Sequence, residues 1–366
     1  MDDVLIIGGG VIGLSLAFDL VQHGLRVRVV DRQAPGQESS WAGAGILSPA
    51  VLRAKDPSIK QLAGLSYELH VHWAAQLKSK TGINNGFRCC HALYLARDAA
   101  TYEALVSLGT AWREQGIPWC HETFASLAKL EPGLATTGFQ AAYRVPSEAQ
   151  IRNPWHVRAL LAACLHHGVQ VDAGVAVDDW DVQDGRVRSV ITSQGRLSAE
   201  RYCICGGAWS AGLAARLGWR PAIKPVRGQI VLLNTLRPKL RHIINEGPRY
   251  LVPRGDGRIL VGSTEEDVGF VKQNTAAAIE GLLAFAQSLY PELSDAPIER
   301  CWSGLRPATA DGLPYLGRVP SLDNAFIAAG HFRQGLFLSP GTAVVMSQLI
   351  RGLPPEIDLS PFRMER

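Results

Sequence analysis

Residues 4–13 read Val-Leu-Ile-Ile-Gly-Gly-Gly-Val-Ile-Gly, an apolar run that gives way abruptly to glycine. Val4–Ile7 is short and rich in β-branched residues, which is typical of a buried parallel strand. From Val11 to His23 the apolar residues recur at helical spacing, and Gly24 is well suited to end a helix. A second apolar strand, Arg26–Asp31, follows. The start of the chain is therefore predicted to form a βαβ unit.

Gly8, Gly10 and Gly13 have G-x-G-x-x-G spacing between this strand and this helix. In a dinucleotide-binding fold such glycines allow a tight turn, close approach of the backbone to a pyrophosphate, and close packing of helix on strand. The helix N-terminus adds partial positive charge for the phosphates. Asp31 ends the second strand, where a carboxylate accepts hydrogen bonds from an adenosine ribose. An acidic residue there suits FAD or NAD better than NADP.

The composition indicates a globular protein with two domains or lobes. The chain has 366 residues, of which 47% are hydrophobic and 19% charged, and this balance argues against disorder. The formal net charge is +4 without a Lys/Arg block, so nothing indicates nucleic-acid binding. The seven cysteines contain no C-x-x-C, which disfavours zinc and disulfides and favours a cytoplasmic location. The apolar N-terminal stretch is interrupted by glycines, and no membrane span is predicted.

Short apolar strands that end in glycine recur at Tyr202–Cys205 and Ala325–Ala329. Between them, Tyr250–Pro253 and Arg258–Gly262 are further predicted strands. Because strands of the nucleotide-binding type occur at the start, middle and end, we predict an α/β fold. In it a Rossmann-type FAD-binding domain is interleaved with an antiparallel-sheet substrate domain. The predicted bounds are 1–80, 150–218 and 305–366 for the first domain, and 81–149 and 219–304 for the second.

Four separated segments resemble the flavoenzymes of the D-amino-acid oxidase/glycine oxidase family. Ser39–Leu47 resembles the segment that covers the pyrophosphate and passes the flavin ring. Trp302–Pro307, with Asp311–Gly317, resembles the family's substrate and flavin loop. Gly330–Gly335 resembles the stretch beside the pyrimidine end of the flavin, and Tyr250–Arg254 resembles a substrate-domain strand. The segments occur in the family's order, and the likeness is greatest to glycine oxidases of the thiamine-biosynthesis type.

The resemblance implies a noncovalently bound FAD, with Cys301 interpreted as a core residue and not as a flavin attachment site. The glycine turn would contact the pyrophosphate, and Ala44–Ile46 would line the isoalloxazine. Val175, on the strand after helix Trp155–His167, would contact adenine, and loop His331–Phe337 would offer amides to the carbonyl-bearing ring. The implied cofactor-binding residues are Gly8, Gly10, Val11, Ile12, Gly13, Asp31, Arg32, Ser39, Ser40, Ala44, Gly45, Ile46, Val175, Gly206, His331, Phe332, Arg333, Gln334, Gly335, Leu336 and Phe337.

The resemblance also implies that Arg306 binds the carboxylate of an amino-acid substrate, since a guanidinium offers two parallel hydrogen bonds. The alternative is a structural ion pair with Asp311. Tyr250 would add a hydroxyl hydrogen bond unless it is an ordinary strand tyrosine. Arg333 would act at the amine or at the mouth of the site unless it is a surface arginine. His331 is expected to orient the flavin loop, and no side chain is predicted as a catalytic base.

The implied reaction is oxidation of glycine, or of another small amino acid or secondary amine, to an imine. The imine is hydrolysed to a 2-oxo acid and ammonia, and O₂ becomes H₂O₂. In thiamine synthesis the imine itself would be used. Two alternatives stay open, a dehydrogenase that uses another electron acceptor and a non-catalytic FAD-binding subunit. The family implies a homo-oligomer, often a tetramer, and no metal motif occurs among the histidines. The role of Glu265 is left open.

Overall fold

A parallel sheet and a largely antiparallel sheet organise the chain, which a computed structural model describes over residues 1–49, 56–235 and 240–366. The strands of these residues are β1 (Asp2–Ile7), β2 (Val27–Asp31), β3 (Ile46–Leu47), β4 (Arg88–Cys89), β5 (Ala92–Ala96), β6 (Cys120–His121), β7 (Ala141–Val145), β8 (Ala149–Gln150), β9 (Gln170–Ala173), β10 (Val177–Gln183), β11 (Arg186–Thr192), β12 (Gly195–Leu197), β13 (Ala199–Ile204), β14 (Ile223–Asn234), β15 (Ile243–Glu246), β16 (Arg249–Pro253), β17 (Arg258–Gly262), β18 (Ile298–Thr309), β19 (Tyr315–Arg318) and β20 (Ala325–Ala329).

Most helices of the described residues pack against one of the two large sheets. They are α1 (Val11–Gln22), α2 (Ser39–Ala42), α3 (Pro57–Thr81), α4 (Ala99–Glu114), α5 (Phe124–Leu130), α6 (Asn153–His166), α7 (Ser210–Ala215), α8 (Ala276–Leu289) and α9 (Gly335–Ile350).

The parallel sheet has the strand order β19-β20-β13-β1-β2-β9, and only β19 runs antiparallel to its neighbour. Val4–Ile7 of β1 is buried on both faces, as its β-branched composition predicted. Helices α1, α3, α6 and α9 contribute to the core on one face, and α7 with the β10–β12 sheet contributes to the other. The predicted Rossmann-type arrangement is confirmed. The carboxyl ends of parallel strands lie at the same edge of a sheet. The glycine turn after β1, Asp31 at the end of β2 and Gly206 after β13 therefore meet at that edge.

The second large sheet has the order β18-β14-β17-β16-β15-β5-β7-β6 and is antiparallel except for the β15–β5 pair. Helix α8 packs on one face, and its apolar side chains form a core with Val231, Leu251 and Val261. The opposite face carries a row of aromatic side chains and packs against α4. Two three-stranded sheets, β10-β11-β12 and β3-β8-β4, complete the sheets of the described residues, and β3 lies within the segment Ser39–Leu47.

Two local predictions need correction. Trp302–Pro307 is not a loop but part of β18, which pairs with β14 from Val226↔Arg306 to Ile230↔Trp302 and beyond. This pairing is with a segment far away in sequence, so local residue preferences did not reveal it. His331–Phe337 is also not an open loop, because a short 3-10 turn at 332–334 is followed directly by α9. Its amides are therefore those of a helix N-terminus.

The strands of the parallel sheet fall within the residue ranges predicted for the FAD-binding domain, and most strands of the large antiparallel sheet fall within the other ranges. The predicted boundary at 304/305 divides β18. Among the described residues, no helix is long and apolar enough to cross a membrane.

Candidate active site

A cavity of about 1160 Å³ is lined by residues of both large sheets and extends from the glycine turn after β1 to the aromatic face of the antiparallel sheet. Nearly all residues predicted for the site contribute to its wall, and Gly13 is the exception. The predicted residues in the wall are Gly8, Gly10, Val11, Ile12, Asp31, Arg32, Ser39, Ser40, Ala44, Gly45, Ile46, Val175, Gly206, Tyr250, Arg306, His331, Phe332, Arg333, Gln334, Gly335, Leu336 and Phe337.

The glycine turn is built for close approach between main chains. A Cβ on Gly8 would collide with the carbonyl of Cys205, and a Cβ on Gly13 would collide with the carbonyl of Gly8. Gly13 therefore lets α1 pack on the turn instead of lining the cavity, which is the third role expected of this motif. The amide of Val11, at the start of α1, donates to Ser40 Oγ at 2.9 Å. Ser40 thus joins the turn to α2.

Asp31 is fixed beside this turn. Its Oδ2 accepts from the Gly9 amide at 2.8 Å and its Oδ1 accepts from the Gln33 amide at 3.0 Å. Burial raises the pKa of this carboxyl, while the two amide hydrogen bonds oppose the shift. Val175 lies two residues beyond β9, not on the strand as predicted, and its amide donates to the Asp31 carbonyl at 2.8 Å.

Arg32 forms the next part of the wall through an aromatic contact. Its guanidinium lies 3.7 Å from the ring centroid of Trp209 and donates to Glu38 at 3.0 Å. A planar cation held on an indole provides a flat surface next to the Asp31 carboxylate. The glycine cradle, the helix N-terminus, the carboxylate and this flat surface together fit the pyrophosphate, ribose and adenine of FAD.

The segment Ala42–Ile46 forms another wall and is anchored by main-chain hydrogen bonds. The carbonyl of Ala42 accepts from the indole nitrogen of Trp302 at 3.0 Å, and the carbonyl of Gly45 accepts from the Ile151 amide at 2.8 Å. Gly45 has a φ of +75°, and a Cβ there would collide with the carbonyl of Ile151. This segment is therefore a rigid surface of small side chains, which is what a flat ring system needs.

Arg306 points into the cavity from β18. Its Nη1 donates to the Thr264 carbonyl at 3.0 Å and its Nη2 donates to Ser263 Oγ at 2.8 Å. Burial lowers the pKa of the guanidinium, and the nearby Tyr250 phenol acts in the opposite direction. Gly228 lies beside this side chain, and a Cβ at that position would overlap the guanidinium. The alternative interpretation, a structural ion pair between Arg306 and Asp311, is not formed, because Asp311 pairs with Arg366 at 2.6 Å.

Tyr250 stands in a row of cross-strand neighbours on the cavity side of the sheet. It is opposite Gly262 on β17 and opposite Asn245 on β15, and Asn245 is in turn next to Tyr94 on β5. The phenol is 7% exposed and interacts with the Arg306 guanidinium. The Nδ2 of Asn245 is buried in the cavity wall without a hydrogen-bond partner among the described residues. The row therefore places three polar side chains in the cavity wall, those of Tyr250, Asn245 and Tyr94.

Arg333 and His331 belong to the turn before α9. Arg333 Nη1 lies 3.3 Å from Glu265 Oε2, and Arg333 Nη2 donates to the Pro248 carbonyl at 3.3 Å. Both side chains of this ion pair are partly exposed, and Arg333 contributes to the cavity wall while Glu265 does not. His331 is buried, its Nε2 is 3.1 Å from Thr342 Oγ1, and burial lowers its pKa to about 3. The ring is therefore neutral at neutral pH and contacts α9 through Thr342.

Glu148 and Tyr94 are cavity residues that the sequence did not reveal. Glu148 is 1% exposed, and its carboxyl oxygens accept from the Tyr94 hydroxyl at 3.0 and 3.2 Å. Burial raises the pKa of this carboxyl to about 8. A single Glu in a short polar stretch carries no signal of burial, so only the tertiary structure identifies it.

Cys301 packs with the α8 core and does not contribute to the cavity wall. All seven cysteines are unpaired thiols. Within the part of the chain that the structure describes, no three His, Cys, Asp or Glu side chains come together as metal ligands.

Comparison with known proteins gives concordant matches. The profile of the DAO family, described as FAD dependent oxidoreductase, matches residues 3–349. The glycine oxidase of Pseudomonas putida is 35% identical over 363 residues, which cover 99% of this chain and 98% of that protein. The bifunctional protein ThiO/ThiG of Trichormus variabilis is 34% identical over 372 residues, covering 100% of this chain and 55% of that protein. The crystal structure of glycine oxidase from Geobacillus kaustophilus superposes with a TM-score of 0.96 at 32% identity, covering 100% and 98% of the two chains.

Proposed function

Because this chain belongs to the DAO family of FAD-dependent oxidoreductases, we propose that it oxidises glycine or another small amino acid at the carbon that bears the amine. The family resemblance expected from the sequence, the Rossmann-type fold and the FAD requirement are confirmed by these matches. The observation that carries the proposal is the Arg306 guanidinium, which lies in the cavity wall beside the Tyr250 phenol.

Arg306 and Tyr250 would bind the substrate carboxylate. A guanidinium in a water-poor cavity forms charge-assisted hydrogen bonds of about 1.5–3 kcal/mol each. Gly228 leaves the space that the guanidinium fills, and Ser263 and Thr264 fix its orientation. With its carboxylate bound by Arg306 and Tyr250, the substrate would place its α-carbon on the side of the cavity toward Ala44–Ile46.

FAD, when bound, supplies the two-electron oxidation and passes the electrons to O₂, which becomes H₂O₂. On the substrate, the α-hydrogen leaves with the electron pair of its bond, the amine nitrogen forms the C=N bond of the imine, and a proton is released. Water then adds to the imine carbon, and ammonia leaves to give the 2-oxo acid. No side-chain base is required at carbon, and His331 is a weak base because burial lowers its pKa to about 3.

The remaining predicted residues have supporting roles in this proposal. The amides at the N-terminus of α9 would stabilise negative charge on the carbonyl-bearing ring. Arg333, paired with Glu265, would border the route by which the substrate enters. The proposal includes use of the imine in thiazole assembly for thiamine synthesis, which is supported by the similarity to proteins named ThiO/ThiG.

The proposal extends to a cytoplasmic homo-oligomer. The unpaired cysteines suit a reducing compartment, and the family resemblance favours oligomers. Light scattering coupled to size-exclusion chromatography would give the mass of the particle, and a monomer would contradict this part.

The test of the proposed function is peroxide release by the purified, FAD-loaded protein. Glycine, sarcosine, D-alanine and D-proline are supplied in parallel, and catalase in a matched sample shows that the signal is H₂O₂. Turnover of at least one of these amines is expected. Absence of turnover with all four would overturn the proposal.

A further inference from the structure

Arg254 is a buried cation on the far side of the segment Ala44–Ile46. It follows β16 directly and is 7% exposed. Its Nη1 donates to Gln150 Oε1 at 2.6 Å and to the Ile151 carbonyl at 3.2 Å, and its Nη2 donates to the Ala44 carbonyl at 2.7 Å. All three acceptors are neutral. None of the carboxylates in the described residues forms an ion pair with Arg254.

Two nearby arginines differ from Arg254 in having carboxylate partners, whereas Arg88 donates to the Pro253 carbonyl. Arg152 pairs with Asp256 at 2.7 Å, and Arg258 pairs with Asp256 at 3.0 Å and with Glu299 at 2.7 Å. Asp256 is thus occupied by two other cations although it lies close to Arg254. Burying a charge without a counter-ion is unfavourable. Burial does lower the pKa of Arg254, to about 10, so the side chain is still protonated at neutral pH.

The hydrogen bonds of Arg254 converge on the segment that faces the cavity. Ala44 is held directly, and Gln150 is the cross-strand partner of Ile46. The guanidinium therefore fastens the end of β16, in the antiparallel sheet, to both ends of Ala44–Ile46. Any group seated on this segment has an uncompensated positive charge behind it. Electrostatic effects are large where burial keeps water away from the charge, as it does at Arg254.

We propose that Arg254 is a positioning residue whose charge favours the negatively charged forms of the flavin. It acts through Ala44–Ile46, and its role is to stabilise the negative charge that the ring acquires on reduction or on addition of an anion. This inference rests on the proposed seat of the flavin along Ala44–Ile46. If Arg254 were only structural, its hydrogen bonds would matter and its charge would have no effect on the flavin.

The test uses sulfite, an anion that adds to oxidised flavins and bleaches their visible band, with no amino-acid substrate present. Three variants separate charge from hydrogen bonding. Arg254→Lys keeps the charge, Arg254→Gln keeps a donor without charge, and Arg254→Met has neither. Arg258→Met is the matched control, since it removes a neighbouring arginine that has carboxylate partners. FAD content and thermal unfolding are recorded for each protein.

We expect the Kd of sulfite to rise about tenfold or more in Arg254→Gln and Arg254→Met. Arg254→Lys and Arg258→Met should stay within about threefold of wild type. The midpoint potential of the flavin should become more negative in the same two neutral variants. If Arg254→Met fails to retain FAD, the comparison of Arg254→Lys with Arg254→Gln carries the test.

Equal sulfite affinities in Arg254→Lys and Arg254→Gln would overturn the proposal, because hydrogen bonding alone would then explain the residue. Unchanged affinity in all three variants would overturn it as well. Failure of this proposal can be distinguished from failure of the proposed function. A protein that binds FAD and sulfite as expected but oxidises none of the four amines would leave this inference standing.

Discussion

Tyr250 fills the space that a side chain on Gly262 would occupy. The two residues are directly opposite in β16 and β17, and a Cβ on Gly262 would lie 2.5 Å from Cε2 of the Tyr250 ring. Gly228 on β14 likewise leaves the space that the Arg306 guanidinium occupies, although the residue directly opposite Arg306 is Val226. Two glycines on neighbouring strands thus make room for the two side chains that carry the proposed carboxylate site.

Gly262→Ala should displace the Tyr250 ring. Overpacking of this kind costs about 1–3 kcal/mol of stability, and we expect kcat/KM to fall at least about tenfold. Gly255→Ala, in the adjoining turn, is the matched control, since nothing lies within 4 Å of its added Cβ. Steady-state kinetics and urea unfolding of both variants measure the effects. Equal behaviour of the two variants would contradict this account.

Tyr250→Phe removes the hydroxyl and keeps the ring. If that hydroxyl binds the substrate carboxylate, kcat/KM should fall about 10- to 100-fold. Tyr143→Phe is the control, because Tyr143 is a buried tyrosine of the same sheet that does not reach the cavity. Its kinetics should match those of the wild type. Comparable losses in both variants would mean that the Tyr250 hydroxyl acts on stability alone.

Asp31→Ala should weaken FAD binding. The variant loses the carboxylate that is proposed to accept from the ribose, and it leaves the amides of Gly9 and Gln33 without their partner. We expect the Kd of FAD to rise about tenfold or more, measured by quenching of FAD fluorescence on addition of apoprotein. Asp172→Ala, in an ion pair with Arg28 on the neighbouring strand, should leave this Kd unchanged. An unaltered Kd in Asp31→Ala would refute the assignment.

Glu148→Gln should change how stability depends on pH. The pKa of Glu148 is about 8 in the folded protein, above its ordinary value of 4.5, because burial disfavours the charge. Between these two values the folded state binds a proton that the unfolded state lacks. The free energy of unfolding therefore falls as pH rises through this window, by up to about 1.4 kcal/mol per pH unit.

Glutamine cannot ionise, so the stability of Glu148→Gln relative to wild type should increase from about pH 5 to pH 8 and then level off. Urea unfolding of both proteins at intervals across this range measures the difference. Glu103→Gln, at an exposed position on α4, is the control and should follow the wild-type curve. A constant difference between Glu148→Gln and wild type would show that the carboxyl is ionised throughout.

The sequence predicted the parts of the site that depend on neighbours nearby in the chain. Gly8, Gly13 and Asp31 belong to one βαβ unit, so their spacing already specifies the turn and its carboxylate. The segment Ser39–Leu47 and the position of Arg306 followed from resemblance to a family. In both cases, a short sequence pattern was enough to predict where the residue lies in the site.

The rest depends on contacts between residues that are distant in sequence. Arg306 lies on a strand because β18 pairs with β14, and no local preference indicated that pairing. The need for glycine at 262 arises only when Tyr250 is placed opposite. Glu148 precedes β8 and accepts a hydrogen bond from Tyr94, 54 residues away in the chain, and no local pattern distinguishes this buried Glu from an exposed one. Contacts between distant segments determine the strand at Arg306, the glycine at 262 and the burial of Glu148, so local sequence could not predict them.

The central claim is that the cavity holds FAD and that Arg306 binds the carboxylate of the amino acid to be oxidised. The most direct measurement is the visible spectrum of the FAD-loaded protein during anaerobic addition of glycine. The wild type should bleach at the flavin maxima, and Arg306→Ala should keep its FAD and stay yellow at the same glycine concentration. Bleaching of Arg306→Ala at the wild-type concentration, or no bleaching of the wild type by glycine or the other three amines, would contradict the claim.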